Sequence, residues 1–142
     1  MNRKHKKRKY NSRKLERKKI YSIEIIREIV KKYLFYPTNE KPRVELDGDL
    51  IKANSQRYQT FFTKGTKCVC CGLEGKYFAK EKGEKDISYH LNLYGVNEKG
   101  KEILMTKDHI IPKSKGGKDE LNNYQTMCVI CNVKKGNKIE SR

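Results

Sequence analysis

Cys68-Val69-Cys70-Cys71-Gly72 and Cys128-Val129-Ile130-Cys131-Asn132 are the stretches that decide the fold. Each carries a C-x2-C knuckle, a tight turn that presents two thiolates to one point. A pair of knuckles supplies four sulfurs at about 2.3 Å around a tetrahedral ion, a donor set and geometry that suit zinc. One C-x2-C alone is ambiguous with a redox motif, whereas two in a small basic chain point to structural zinc. The expected ligands are Cys68, Cys71, Cys128 and Cys131. A closed four-cysteine site leaves no position for water, so its expected role is to tie residue 68 to residue 131. Cys70 is read as a thiol beside the site, with competition against Cys71 for the ion as the alternative; the usual knuckle spacing favours Cys71.

The composition explains why such a staple is needed. Of 142 residues, 35% are hydrophobic and 36% charged, which fits one compact domain plus an appendage with a small core. Domains that bury little apolar surface commonly rely on a metal or a disulfide. The net charge is +17, and residues 1–19 hold eleven Lys/Arg against the single acid Glu16. This basic tail, with Arg3, Lys4, Lys6, Lys7, Arg8 and Lys9, is expected to be flexible and to contact nucleic acid, since neutralising phosphates releases condensed counterions. A localisation signal, a solvated tail and a membrane-surface patch are the alternatives. The apolar stretch from Ile20 to Tyr36 is interrupted by Glu24, Arg27, Glu28, Lys31 and Lys32, which rules it out as a secretory signal core or a membrane span. The chain therefore reads as intracellular, where thiols stay reduced and paired cysteines more often hold metal.

Along the chain, Ile23, Ile26, Ile29, Val30, Tyr33 and Leu34 recur at three- and four-residue spacing. The spacing predicts a helix over 12–36, stopped by Pro37 and packed on the core. Residues 37–43 read as a linker, and Val44 to Ile51 as a hairpin turning at Asp47-Gly48. Asn54 or Ser55 is placed to cap a helix reaching Lys64, with Gly65 as its stop. Ser88 to Val96 and Glu102 to Thr106 are expected to form a second hairpin through Asn97-Glu98-Lys99-Gly100. Residues 119–138 read as a loop and a short helix.

The segment between the knuckles is more specific still. Thr106-Lys107-Asp108-His109-Ile110-Ile111-Pro112-Lys113-Ser114-Lys115-Gly116-Gly117 resembles the D-H-x2-P-x-S-x-G-G signature of HNH nucleases. Leu121-Asn122-Asn123-Tyr124-Gln125, followed by Cys128-x2-Cys131-Asn132-x2-Lys135-Gly136, is similar to the second half of that family's pattern. The resemblance covers about Lys67 to Lys138; Asn132 stands where other members have histidine. Thirty-six residues separate Cys71 from Asp108, longer than a minimal motif needs. That insert is expected to add a strand pair or a DNA-contacting ribbon, with His90 structural or on the surface.

The resemblance implies an α+β fold: a small zinc-stapled ββα-metal domain over 67–142 with added hairpins. A basic tail at 1–19 and a helical and hairpin extension at 20–66 would precede it. It implies a DNA endonuclease acting on double-stranded DNA, with His109 as general base, an imidazole being the side chain that titrates near physiological pH. Asn123 would orient that ring. Asp108 and Asn132 would hold one Mg²⁺ or Mn²⁺, hard oxygen donors suiting a hard cation. Lys113, Lys115, Lys118 and Lys135 would contact the phosphate backbone. Phages and mobile elements carry small basic nucleases of this kind, which places the expected site of action in the cytoplasm of a bacterial host. The sequence does not distinguish a monomer from a homodimer. The competing readings are a zinc-held nucleic-acid-binding module without turnover and a basic RNA-associated protein.

Overall fold

A computed structural model describes residues 15–139. Arg3, Lys4, Lys6, Lys7, Arg8 and Lys9 of the expected nucleic-acid-binding tail lie outside the described residues. In chain order the elements are β1 (Glu16–Ser22), α1 (Ile23–Val30), β2 (Arg43–Leu46), β3 (Asp49–Lys52) and α2 (Gln56–Lys64), then β4 (Gly75–Lys82), β5 (His90–Val96), β6 (Glu102–His109), β7 (Tyr124–Cys128) and α3 (Val129–Lys135). Short 3-10 turns at Lys113–Lys115 and Leu121–Asn123 lie between β6 and β7.

Among the described residues, three α-helices with a five-stranded and a two-stranded antiparallel sheet make the fold α+β. The sheet runs β1-β4-β5-β6-β7, and β2-β3 forms a separate hairpin. Strand β6 is divided in its pairing: Glu102 to Leu104 bond to β5, and Met105 to His109 bond to β7. It therefore joins the N-terminal strands to the segment that carries Asp108 and His109. Ile26, Val30, Phe61, Phe78, Leu93, Met105 and Met127 are almost wholly buried and form the core between helices and sheet. Phe78 sits at its centre, within 5.9–6.4 Å of the rings of Tyr58, Phe61 and Phe62.

Local signals predicted well wherever the cause is local. Asp47 and Gly48 take φ of 49° and 88°, the two positive values a two-residue hairpin turn requires. Ser55 caps α2 by accepting a hydrogen bond from the Arg57 amide, and Gly65 ends that helix at φ 100°.

The expected helix from Ser12 to Tyr36 is corrected. Residues 12–14 lie outside the described residues, Glu16–Ser22 is an edge strand on β4, and only Ile23–Val30 is α-helical. Ser22 marks the boundary, its side-chain oxygen accepting from the Ile25 amide as a helix cap. The strand wins because its charges find partners across the sheet that a helix would lack. Arg17 reaches Glu81 at 2.8 Å and Glu102 at 2.9 Å, Tyr89 donates to Glu16 at 2.9 Å, and Tyr21 donates to Asp47 at 2.6 Å. The strand also cuts across the expected boundary between tail and extension at residue 19.

The insert after Cys71 does supply a strand pair, β4 with β5. Strand β4 escaped the sequence reading because Lys80 and Glu81 occupy buried positions where apolar residues are the rule. Both are fully partnered. Lys80 pairs with Asp49 at 2.7 Å and donates to the Leu46 carbonyl at 2.8 Å, which fastens the β2-β3 hairpin to the sheet. Glu81 accepts from Arg17, from Tyr94 at 2.6 Å and from Asn92 at 3.1 Å.

Candidate functional site: a four-cysteine cluster beside a histidine–aspartate pair

The knuckles come together as their spacing requires. Cys68 lies in the turn after α2, Cys128 ends β7, and Cys131 stands in the first turn of α3. The sulfurs of Cys68, Cys71, Cys128 and Cys131 all lie within 4.8 Å of one another. A tetrahedral ion with metal–sulfur bonds of about 2.3 Å needs sulfurs about 3.8 Å apart; Cys71 and Cys128 are 3.8 Å apart. The cluster thus has the donors and the size to hold zinc. Backbone geometry holds it from both sides. The Cys68 amide donates to Leu73 O at 2.8 Å, the Val69 amide to Thr126 O at 3.0 Å, and the Cys131 amide to the Cys128 sulfur at 3.5 Å. Cys70 is exposed and is not one of the four.

Strand β6 ends on Asp108 and His109, whose side chains leave opposite faces of the sheet. On one face, Asp108 is 5% exposed and its Oδ2 meets Lys135 Nζ at 2.9 Å and Gln125 Nε2 at 2.9 Å. Helix α3 supplies the rest of this face: Lys135 Nζ also donates to the His109 carbonyl at 2.6 Å, and Asn132 Nδ2 donates to Thr106 Oγ1 at 2.8 Å. Among the described residues, Asp108 Oδ1 and Asn132 Oδ1 accept no hydrogen bond, so two hard oxygen donors remain for a cation. Lys135, expected to reach nucleic acid, is 2% exposed and committed to Asp108. Its contribution is to neutralise a buried carboxylate.

On the other face, His109 Nε2 lies 2.7 Å from Asp119 Oδ1, and the imidazole packs edge-on to Tyr124 with centroids 5.0 Å apart. Asp119 Oδ2 meets Lys113 Nζ at 2.9 Å. Lys113 and then His109 hold the Asp119 carboxyl down to about 2, so it is ionised at neutral pH. An ionised carboxylate only accepts, which fixes the proton of a neutral imidazole on Nε2 and leaves the lone pair on Nδ1. Gln56, at the start of α2, ties this face to the N-terminal half: its Oε1 accepts from Tyr124 Oη at 2.9 Å and Lys107 Nζ at 3.3 Å.

Among the described residues, Asn123 makes no hydrogen bond to the histidine ring. Its side chain clamps the loop after β6, accepting from the Ile111 amide at 2.9 Å and donating to the carbonyls of Ile111 at 3.0 Å and Lys118 at 2.9 Å. The Ile110 amide donates to Asn123 O at 2.8 Å. The ring is held instead by Asp119, and the strand end by Asn123. Lys113, Lys115 and Lys118 are exposed on that loop, and His90 is exposed on β5.

Gly116-Gly117 is more than a flexible turn. A Cβ on Gly117 would stand 1.7 Å from Ile111 O and 2.6 Å from Ile111 C, inside the clamp that Asn123 makes. Gly117→Ala is expected to destabilise the fold by about 1–3 kcal/mol, the usual scale for forcing backbone aside. Thermal melting checks this, and an unchanged melt would mean the loop is not packed as described.

Residues 96–142 match the HNH endonuclease family. The matched part is the C-terminal third of the chain and holds β6, β7, α3, the Cys128–Cys131 knuckle and the His109–Asp119 pair. The HNH segment draws its other two sulfurs, Cys68 and Cys71, from outside the match. No curated protein and no solved structure matches the chain. Among the described residues no helix is long and apolar enough to cross a membrane.

Asp119, Gln56 and Tyr124 are the contributors the sequence reading missed. Asp119 follows the lysine-rich turn Lys113–Lys118, and an acid beside those cations was a signal of sorts that it has a specific partner.

Proposed function

We propose that this protein is a metal-dependent endonuclease that hydrolyses phosphodiester bonds of double-stranded DNA, with zinc as its structural staple. The observation that carries the reading is His109, held through Nε2 by Asp119 at a strand end inside the HNH segment. A phosphodiester is anionic and resists nucleophiles, so the site must activate water and neutralise phosphate charge. His109 Nδ1 takes the proton of the attacking water, and Asp119 stabilises the imidazolium that results. Asp108 and Asn132 would hold Mg²⁺ or Mn²⁺ through their remaining oxygens, a two-ligand arrangement such ions accept while keeping waters. When bound, the ion supplies neutralisation at the scissile phosphate and the leaving 3′ oxygen. Asn123 fixes the turn that follows His109, Gln125 and Lys135 hold the Asp108 carboxylate, and exposed Lys113, Lys115 and Lys118 position the backbone.

Supercoiled plasmid tests the reading. With Mg²⁺ the protein is expected to nick or linearise it, and without divalent ion the plasmid should stay intact. No cutting with Mg²⁺ or Mn²⁺ would return the protein to a zinc-held binding module.

A further inference from the structure

A cleft of about 640 Å³ opens directly beside the histidine–aspartate pair. One wall is the N-terminal extension, with Thr38, Lys52 at the end of β3, and Ser55 to Tyr58 at the start of α2. The other is formed by Tyr89, His90, Lys107 and Asp119. Asp119 therefore borders both this cleft and His109.

We propose that this cleft binds the backbone phosphates of the DNA strand leading away from the scissile bond. The nature of the ligand rests on the nuclease reading above; the cleft is built largely from residues before Val96, outside the HNH match.

The charges in the cleft carry the inference. Lys52, Arg57 and Lys107 come from three elements, and none makes an ion pair among the described residues. The one acid lining the cleft, Asp119, has its two oxygens committed to His109 and Lys113. Lys107 and Arg57 are held by neutral groups instead, and Lys52 stands exposed at its strand end. Lys107 Nζ stands 4.2 Å over the Tyr124 ring and 3.3 Å from Gln56 Oε1, and Arg57 donates to Asn92 Oδ1 and Leu91 O at 3.1 Å each. Arg57 and Lys107, already fixed and partly buried, together with the exposed Lys52 and with no anion of the protein's own paired to them, are arranged for phosphate oxygens. The exposed Lys113, Lys115 and Lys118 lie on the loop that leads to Asp119, with Lys113 paired to it. Several cations grouped about one cleft that shares Asp119 with the proposed hydrolytic site fit a polyanion better than a single small anion.

Fluorescence anisotropy on a labelled duplex, without added divalent ion, tests the cleft. Lys52→Glu is at an exposed strand end and should leave the fold intact; Lys107→Gln joins it in a second variant. Lys99→Glu, in the turn at the opposite end of β6, controls for net charge. The single cleft variant is expected to raise Kd about tenfold, and the pair to lower the salt slope by about two. Binding indistinguishable from the Lys99 control would overturn the proposal. The nuclease reading fails separately, by absent cleavage with cleft-dependent binding retained. Normal cleavage together with control-like binding in the cleft variants would sink the cleft alone.

Discussion

His109→Ala is expected to cut plasmid about 10²- to 10⁴-fold more slowly than the unaltered protein, the range over which a positioned acid or base contributes. The loss should appear without unfolding. The ring is a partly exposed group at the end of β6, and the strand is held by its ladder to β7, by Lys135 on the His109 carbonyl and by the Asn123 clamp, none of which uses the imidazole. Zinc content and melting should therefore stay near those of the unaltered protein, and duplex binding should change only slightly. Asp119→Asn should fall between the two. It keeps the side chain's size and a hydrogen-bonding group near Nε2, but it removes the anion that stabilises the imidazolium and sets the tautomer. Cleavage unchanged in His109→Ala would end the mechanism, whatever the metal dependence.

Cys128→Ala is expected to lose zinc and the cooperative fold together. Cys128 is 2% exposed, ends β7, caps α3 through its sulfur and lies 3.8 Å from the Cys71 sulfur. It is thus the point where strand, helix and distant knuckle meet. Apparent binding free energies of structural zinc reach about 10–16 kcal/mol, as large as the ~5–15 kcal/mol that holds a domain together. The knuckles are continuous with the apolar core, Cys68, Cys128 and Val129 being buried in it, so loss of the ion would disturb that packing as well. Metal analysis and circular dichroism before and after chelation read the effect. Cys70→Ala, at an exposed thiol outside the cluster, should keep both metal and fold. A folded, zinc-free Cys128→Ala protein would show that the cluster is not the staple.

The effect on chemistry follows from position. Asn132 lies one residue past Cys131, and Lys135 one turn further, so a loosened knuckle would move the partners of Thr106 and Asp108 at once. The sulfur cluster and the proposed oxygen site are chemically separate but share one helix.

What the sequence determined by itself were features whose cause is local or whose residue types admit few alternatives. Four thiols in two C-x2-C turns assemble wherever one soft cation can reach them, so the cluster was legible from spacing. Asp47-Gly48, Ser55 and Gly65 set their own backbone through positive φ or a cap, and the hairpin and α2 followed. The run from Asp108 to Gly117, with Asn123 and Asn132, carried the HNH resemblance.

Tertiary structure decided the rest, because those features depend on partners far along the chain. Glu16–Ser22 could be a strand only once β4 offered it a ladder and Glu81 offered Arg17 a buried carboxylate. Lys135 looked like a surface cation until folding placed Asp108 against it. Gly117 became obligatory when the loop brought it onto the Ile111 carbonyl. Asp119 acquired its role from the same loop closure, which carries it back across ten residues to the His109 ring. A carboxylate's function depends on what it meets, and in this protein the chain fold supplies that meeting.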